Sequence, residues 1–572
     1  MADNVVLRIG GKAGTGLITA TDIIATIALK LGYHIFSSKD YASQIRGGHN
    51  NHTIRISKEN VNADSDKIDI LIAFDQLTLD KHISDVKENG IVLINEKIKF
   101  EKTNKLNFIL INILEIEEKI KHKNLHNAVF SGAVAKCLGF PWDVCEAVIA
   151  DRFNQKKELL KVFKEASLLG YNQTKVFFDY SNLGSSDKLS LISGNDAISL
   201  GALKAGLNFH VQYPMTPVTG ILHYLEKESV INKKLTVIQP EDEIAAINMA
   251  LGASYTGARA MTATSGGGFA LMVESVGLSG MAEVPLVIIE GQRPGPSTGL
   301  PTKTEQGDLK FVINAGPGDF PLAVIAPSTI EECYTETKRA FYFAEKYQLP
   351  VIVLVDKHLT ESSKSADLNA EEKEFTFDYN QRINIIAKVN DNQLNEDGLF
   401  KRYASKETSR TLPGTKNGVY TCAGDEHNDV GEITEDPEIR VQMVNRRLAK
   451  TKLIEEELPL PELIGPNDAE LTLVSWGGNC GAITEAINLL NQEGKKVNFL
   501  NIKYILPFQK EAINSLLSKS KKLLLIENNI TGQLGQVIAE NTGILIENKF
   551  LKCNGQTFNV NEIYQEAKRW LV

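Results

Sequence analysis

The sequence predicts an α/β protein with three doubly wound, mostly parallel sheets, in three domains joined by one long connecting segment. Short apolar runs of strand length alternate with helix-periodic stretches over residues 1–185, again over 189–362 and again over 467–572. That alternation is the signature of parallel strands with helical crossovers. Between 363 and 466 it stops, and charged and polar residues dominate. A chain of 572 residues is also too long for one core.

The first domain opens with a buried strand at 5–9, followed by G-G-K-A-G-T-G at 10–16 and an apolar-periodic helix over 17–31. Further strands are expected at 68–74, 91–94 and 108–111, and helices at 127–138 and 142–153. In the second domain S-G-N-D-A-I-S-L-G-A-L-K-A-G-L is a loop entering a small-residue helix. Strands follow at 237–239, 260–264, 286–289, 322–325 and 351–355. The segment 363–466 is expected to wrap over other surfaces, with a short helix near 436–457. Pro413-Gly414-Thr415 and scattered apolar residues favour an ordered segment over a disordered linker. The last domain returns to strands at 471–476, 497–502 and 523–527, with helices at 482–491 and near 535–540.

Composition narrows the function. A net charge of −9 argues against a dedicated nucleic-acid surface. No apolar run reaches the ~20 residues needed to span a bilayer, and Asp3 stands where a signal peptide would carry basic residues. A cytoplasmic protein is expected. The six cysteines, Cys137, Cys145, Cys333, Cys422, Cys480 and Cys553, form no C-x-x-C pair. They read as inert thiols, with no iron–sulfur cluster or structural zinc on this chain.

The N-terminal glycines lie between a strand and a helix, where backbone N–H groups can cradle phosphate. They match neither G-x-G-x-x-G nor G-x-x-x-x-G-K-[ST], and a tight strand–helix turn is the plainer reading. The polar run 38–53 surrounds Arg46-Gly47-Gly48 and contains His49 and His52, without an acidic or cysteine partner at metal-ligand spacing.

The second domain is more specific. Tyr213-Pro214-Met215-Thr216-Pro217 is a rigid turn at a strand end that presents the Thr216 hydroxyl. Glu241-Asp242-Glu243 then opens a helix whose body is small and apolar. Dipole complementarity alone accounts for acids there, but Glu243 directly precedes the buried run, and a buried carboxylate needs a partner. Thr264-Ser265-Gly266-Gly267-Gly268 joins a strand to a helix, at the carboxyl end where open α/β sheets bind ligands. After the next strand comes G-Q-R-P-G-P-S-T-G-L-P-T, 291–302. It sets one cation, Arg293, among glycines, prolines and the hydroxyls of Ser297, Thr298 and Thr302. A guanidinium held so suits bidentate capture of a carboxylate or phosphate; a solvated surface loop is the alternative.

Y-P-M-T-P, E-D-E-I-A-A-I, T-S-G-G-G and G-Q-R-P-G-P-S-T-G-L-P-T-K-T-E-Q-G-D, in this order, closely resemble the alpha subunit of the 2-oxoacid:ferredoxin oxidoreductases, 2-oxoglutarate:ferredoxin oxidoreductase included. Residues 1–185 resemble the family's gamma domain, fused at the amino terminus. G-D-E-H-N-D-V-G-E-I-T-E-D-P is similar to its connecting stretch, and L-V-S-W-G-G-N-C-G-A with I-E-N-N-I-T-G-Q-L-G to its transketolase-C-type domain. The resemblance implies that 189–362 binds the pyrimidine half of thiamine diphosphate. Glu243 would hydrogen-bond N1′ of the aminopyrimidine and favour the imino form that removes the thiazolium C2 proton. Thr216 would sit beside cofactor and substrate; Arg293, Thr302 and Ser297 would hold the 2-oxoacid; Ser265 and Gly266 would line the cofactor.

The reaction implied is coenzyme A-dependent oxidative decarboxylation, with electrons passed to ferredoxin. Thiamine enzymes usually grip Mg²⁺ and the diphosphate with G-D-G and a later asparagine, and this chain has no G-D-G. A beta subunit is therefore expected to supply Mg²⁺, the diphosphate grip and a 4Fe–4S cluster. 2-Oxoglutarate is favoured over pyruvate or branched-chain oxoacids. Two other readings compete. A non-catalytic scaffold of the same fold predicts damage at Glu243, Thr216 or Arg293, and none is seen. A nucleotide-binding oxidoreductase predicts an acidic residue ending the second strand, and only Asp40 is near.

Overall fold

A computed structural model describes residues 4–43, 48–101, 104–184, 188–371, 375, 377–379, 384–404 and 408–571. The chain forms two compact units: residues 1–193, 361–369 and 559–563 make the first, and 194–360, 370–558 and 564–572 the second. Arg46 and Gly47, singled out above, lie outside the described residues.

The first unit is built on β1 (Asn4–Lys12), β2 (His34–Asp40), β3 (His49–Ser57), β4 (Ile68–Ala73), β5 (Val86–Asn95), β6 (Asn107–Ile111) and β7 (Ser190–Ser193). Its sheet runs β6-β5-β4-β1-β3-β2, then a strand at Ser363–Ala366, then β7. Strands β1, β4, β5 and β6 are parallel, whereas β3 pairs antiparallel with β1 and β2, and Ser363–Ala366 antiparallel with β2 and β7. The helices Leu17–Lys30 and His126–Cys137 bury Ile23, Ile24, Ile27, Phe130 and Val134 against Leu7, Ile9, Ile54 and Ile70.

One sequence reading changes here. Gly10 and Gly11 continue β1 rather than begin a loop, and a Cβ on Gly10 would stand 2.5 Å from Thr78 Cγ2. The polar run 38–53, given no secondary structure above, ends β2 and from His49 begins the nine-residue strand β3. Its polar side chains find separate partners: His49 Nε2 lies 2.8 Å from His82 Nε2, and His52 Nδ1 lies 3.1 Å from Thr21 Oγ1.

The second unit holds β8 (Phe209–Val211), β9 (Thr236–Ile238), β10 (Ala260–Thr264), β11 (Leu286–Gln292), β12 (Ala323–Ile325) and β13 (Pro350–Asp356). The strand Ser363–Ala366 of the first unit follows in the chain as β14. Next come β15 (Leu463–Ile464), β16 (Leu471–Ser475), β17 (Val497–Asn501), β18 (Tyr504–Leu506), β19 (Leu523–Glu527) and β20 (Lys549–Leu551). One sheet is β18-β12-β13-β11-β10-β8-β9, parallel except for β18; the other is β15-β17-β16-β19-β20, parallel except for β15. The core strands are buried on both faces: all seven residues of β13 and of β11 are buried, as expected where helices cover both sides.

The described residues of the connecting segment include the helix expected near 436–457, which is long rather than short. Pro437–Glu457 spans 21 residues, starting at Asp436, whose carboxylate accepts from Glu438 N and Ile439 N. Polar composition disguised its anchoring. Lys450 and Arg446 of this helix both pair with the fully buried Glu283, and Arg402 Nη2 donates to the Glu283 carbonyl at 3.3 Å. Burial alone would raise the Glu283 carboxyl, but Lys450, Arg446 and Arg402 overcome this and hold it well below the usual carboxylate range. The segment is thus anchored by buried charge pairs, which hydrophobic periodicity cannot reveal.

Candidate active site

Strands β9, β8, β10 and β11 are consecutive neighbours and mutually parallel. The loops leaving their carboxyl ends therefore open along one sheet edge, the place where α/β sheets bind ligands. These loops carry the residues marked in the sequence.

After β9 the chain enters the helix Glu243–Tyr255. Asp242 caps it, Oδ1 accepting from Ala245 N at 2.8 Å, and Glu241 is exposed. Each of the three acids has a different fate, and only Glu243 turns inward, 4% exposed. Its Oε1 is buried with no hydrogen-bond partner. A carboxylate oxygen so placed carries an uncompensated desolvation cost, which a ligand donor would relieve.

After β10, Ser265 precedes the helix Gly266–Ala282. Its hydroxyl is likewise buried and without a partner. Two of the three following glycines are fixed by carboxyls. A Cβ at Gly268 would stand 2.6 Å from Glu243 Oε1 and 2.1 Å from Thr264 Oγ1, and one at Gly266 would stand 2.5 Å from Asp308 Oδ2. The bare backbone lets both acids approach the helix start.

After β11 comes Arg293, half-buried, whose Nη1 donates to the Thr216 carbonyl at 3.1 Å. This bond brings together the β8 and β11 loops. Burial pulls the guanidinium pKa down, and the carboxyls of Asp308, Glu243 and Glu290 pull it back up. Thr302 is buried beyond the turn, whereas Ser297 is exposed, in left-handed backbone with φ 56°. Glu243, Ser265, Gly266, Arg293 and Thr216 thus share one edge; Ser297 lies on its solvent side.

Sequence reasoning missed two parts of this region. Glu290 is a carboxyl inside the apolar strand β11, fully buried, with neither oxygen bonded to a donor. The acid within I-I-E-G-Q was the available signal. The other part is Gln306. Its N donates to Asn528 O at 2.7 Å, its Oε1 accepts from Asn479 Nδ2 at 2.9 Å and Asn528 N at 3.1 Å, and its Nε2 donates to Trp476 O at 2.9 Å. This residue ties the loop 293–308 to the carboxyl ends of β16 and β19. These partners lie 170 or more residues away, so no local pattern announces it.

Among the described residues, no group of three or more His, Cys, Asp or Glu is arranged to hold a metal ion. No described helix is long and apolar enough to cross a membrane.

Comparison with known proteins agrees with this layout. Residues 200–445 match the family model "Pyruvate flavodoxin/ferredoxin oxidoreductase, thiamine diP-bdg". Residues 6–173 match "Pyruvate ferredoxin/flavodoxin oxidoreductase", and 469–563 match "Pyruvate:ferredoxin oxidoreductase core domain II". A Sulfolobus sp. 2-oxoacid:ferredoxin oxidoreductase subunit alpha is 32% identical, over 97% of this chain and 95% of its own. The chain belongs to the 2-oxoacid:ferredoxin oxidoreductase alpha-subunit family. A Mycobacterium tuberculosis 2-oxoglutarate oxidoreductase subunit KorA is 30% identical, covering 98% of this chain and 90% of that protein. The solved 2-oxoglutarate:ferredoxin oxidoreductase from Magnetococcus marinus, with 2-oxoglutarate, coenzyme A and succinyl-CoA bound, superposes over the full length of both chains with a TM-score of 0.91 at 29% identity. This alpha-subunit relative is therefore a subunit of a thiamine-diphosphate-dependent 2-oxoacid:ferredoxin oxidoreductase, and its thiamine-binding domain contains the sheet edge described above.

Proposed function

We propose that this chain is the gamma–alpha fused subunit of a 2-oxoglutarate:ferredoxin oxidoreductase. It converts the oxoacid and coenzyme A to acyl-CoA and CO₂ and passes electrons to ferredoxin. The observation that carries the reading is the buried, unpartnered Oε1 of Glu243, on the same edge as the Arg293–Thr216 pair. Such an oxygen fits the ring nitrogen of an aminopyrimidine, and thiamine diphosphate, when bound, supplies the carbanion chemistry that decarboxylation requires.

The protein's own residues then have distinct tasks. Glu243 holds a proton at Oε1 and returns it, in a water-poor setting that strengthens the interaction. Ser265 Oγ and the bare backbone at Gly266 line the cofactor. Arg293 pairs with the substrate carboxylate, Thr216 borders the reacting end, and Thr302 and Ser297 close the loop over it. 2-Oxoglutarate is favoured because the Mycobacterium tuberculosis relative is named for it and the Magnetococcus marinus structure contains it.

Half of the site belongs elsewhere. The sequence has no G-D-G, and the helices beside Glu243 and Ser265 expose Ile244, Met249 and Leu271. An apolar face flanking a catalytic acid suits burial by a partner. We assign Mg²⁺, the diphosphate grip and a 4Fe–4S cluster to a beta subunit seated there.

The test is co-purification with that beta subunit, followed by viologen reduction with coenzyme A across several 2-oxoacids. The highest kcat/KM is expected for 2-oxoglutarate. Preference for pyruvate or a branched-chain oxoacid would overturn the substrate, and no turnover with any of them would favour a scaffold. The isolated chain should show no brown iron–sulfur absorbance; stoichiometric iron in it would contradict the division of cofactors.

A further inference from the structure

Beneath the proposed substrate clamp lies a pair of carboxyls that the reaction does not directly use. Glu290 sits in the middle of the sheet, opposite Thr264 on β10 and Leu354 on β13, and is fully buried. Neither oxygen meets an N–H or hydroxyl donor. Its polar neighbour is the carboxyl of Asp308, at the far end of the substrate loop. Three features hold Asp308 in place. Its N–H donates to Gln292 Oε1 at 3.1 Å, on the strand that carries Glu290; the missing Cβ of Gly266 leaves room for its Oδ2; and Gln306, two residues earlier, is tied down by its own hydrogen bonds.

Ionised carboxylates only accept hydrogen bonds. Two of them packed together out of water can bond only if one carries a proton, and they strongly resist both being ionised. The charged groups facing this pair are Arg293 on the loop after β11 and, acting on the same guanidinium, Glu243 on its helix. Glu305, three residues before Asp308, is pushed up to about 7, by burial and then by Asp308. If Glu243, Glu290 and Asp308 were all ionised, one guanidinium would face three carboxylates, and their excess negative charge would repel an anionic oxoacid.

We propose that Glu290 and Asp308 share a single proton and thereby keep the Arg293 guanidinium available to the substrate's carboxylate. Glu290 is a positioning residue that acts through Arg293. The site's electrostatics agree with this. Burial, then the neighbouring Asp308, raise Glu290 well above the ordinary carboxylate range. Asp308 is also pushed up, to about 6, chiefly by burial, as expected where two buried carboxyls hold one proton between them. As pH rises through the raised value of Glu290, the proton is lost and the second negative charge appears under the clamp.

The proposal rests on the assignment of Arg293 to the substrate, but its first test does not. The infrared spectrum of the isolated full chain at neutral pH should contain a protonated-carboxyl stretch that is absent in Glu290→Gln and shifted in Asp308→Asn. A band unchanged in both variants would overturn the proposal. In the enzyme reconstituted with its beta subunit, KM for the oxoacid should rise at least about threefold toward alkaline pH, as a second charge appears at this short range. The rise should disappear in Glu290→Gln, because an amide cannot ionise. An identical alkaline rise in that variant would contradict the proposal. If the infrared result holds while Arg293→Ala leaves KM unchanged, the fault lies in the substrate assignment instead.

Discussion

Glu243 and Gln306 are both buried polar side chains at the carboxyl edges of parallel sheets in the same unit, yet their surroundings differ. Gln306 has its amide N–H groups and its carbonyl engaged by Trp476, Asn479 and Asn528. Around Glu243 the valences are left open at its own Oε1 and at Ser265 Oγ. A fold can tolerate a few unsatisfied groups, each costing about 1–3 kcal/mol. It has little structural reason to place two side by side on one edge. The satisfied cluster builds the frame, and the unsatisfied cluster is where the frame expects something else to bind.

That contrast can be broken at several points. Glu243→Gln should lower turnover of the reconstituted enzyme at least about a hundredfold, the range of a lost acid–base group, while the complex still assembles by gel filtration. Near-normal turnover would remove Glu243 from the chemistry. Arg293→Ala should reduce kcat/KM for the oxoacid at least about tenfold, about 1.4 kcal/mol; an unchanged value would return the loop 291–302 to the solvent. Gln306→Ala should act on the frame instead, lowering unfolding stability by about 1–3 kcal/mol because buried donors lose their acceptor, as read from the denaturant midpoint. The smallest effect is expected for Ser265→Ala. Its hydroxyl has no protein partner to lose, so stability of the isolated chain should change by less than about 1 kcal/mol, while the affinity of the complex for thiamine diphosphate falls.

The same contrast explains what the sequence disclosed. Periodic strands and small-residue helices were legible, and β10 and β19 occupy the residues their apolar runs suggested. Glu243 could be chosen among three acids because the apolar helix body beyond it dictated which way the first turn faces. Strand β3 was hidden because its inward positions include Asn51 and His52, polar groups satisfied by tertiary partners such as Thr21. The helix expected near 436–457 stands at Pro437–Glu457, but its anchoring was hidden for a related reason: Arg447 and Lys450 fill positions on its buried face, compensated by Glu426 and Glu283. Gln306 and the Glu290–Asp308 pair depend on contacts between distant segments, which local pattern does not encode.

The most direct measurement is a structure of this chain with its beta subunit and thiamine diphosphate bound. The account predicts that the aminopyrimidine ring takes up the open Oε1 of Glu243, beside Ser265 and Gly266, with Arg293 free to meet the oxoacid. A cofactor seated elsewhere, or an Oε1 bonded to another protein group in the complex, would contradict it.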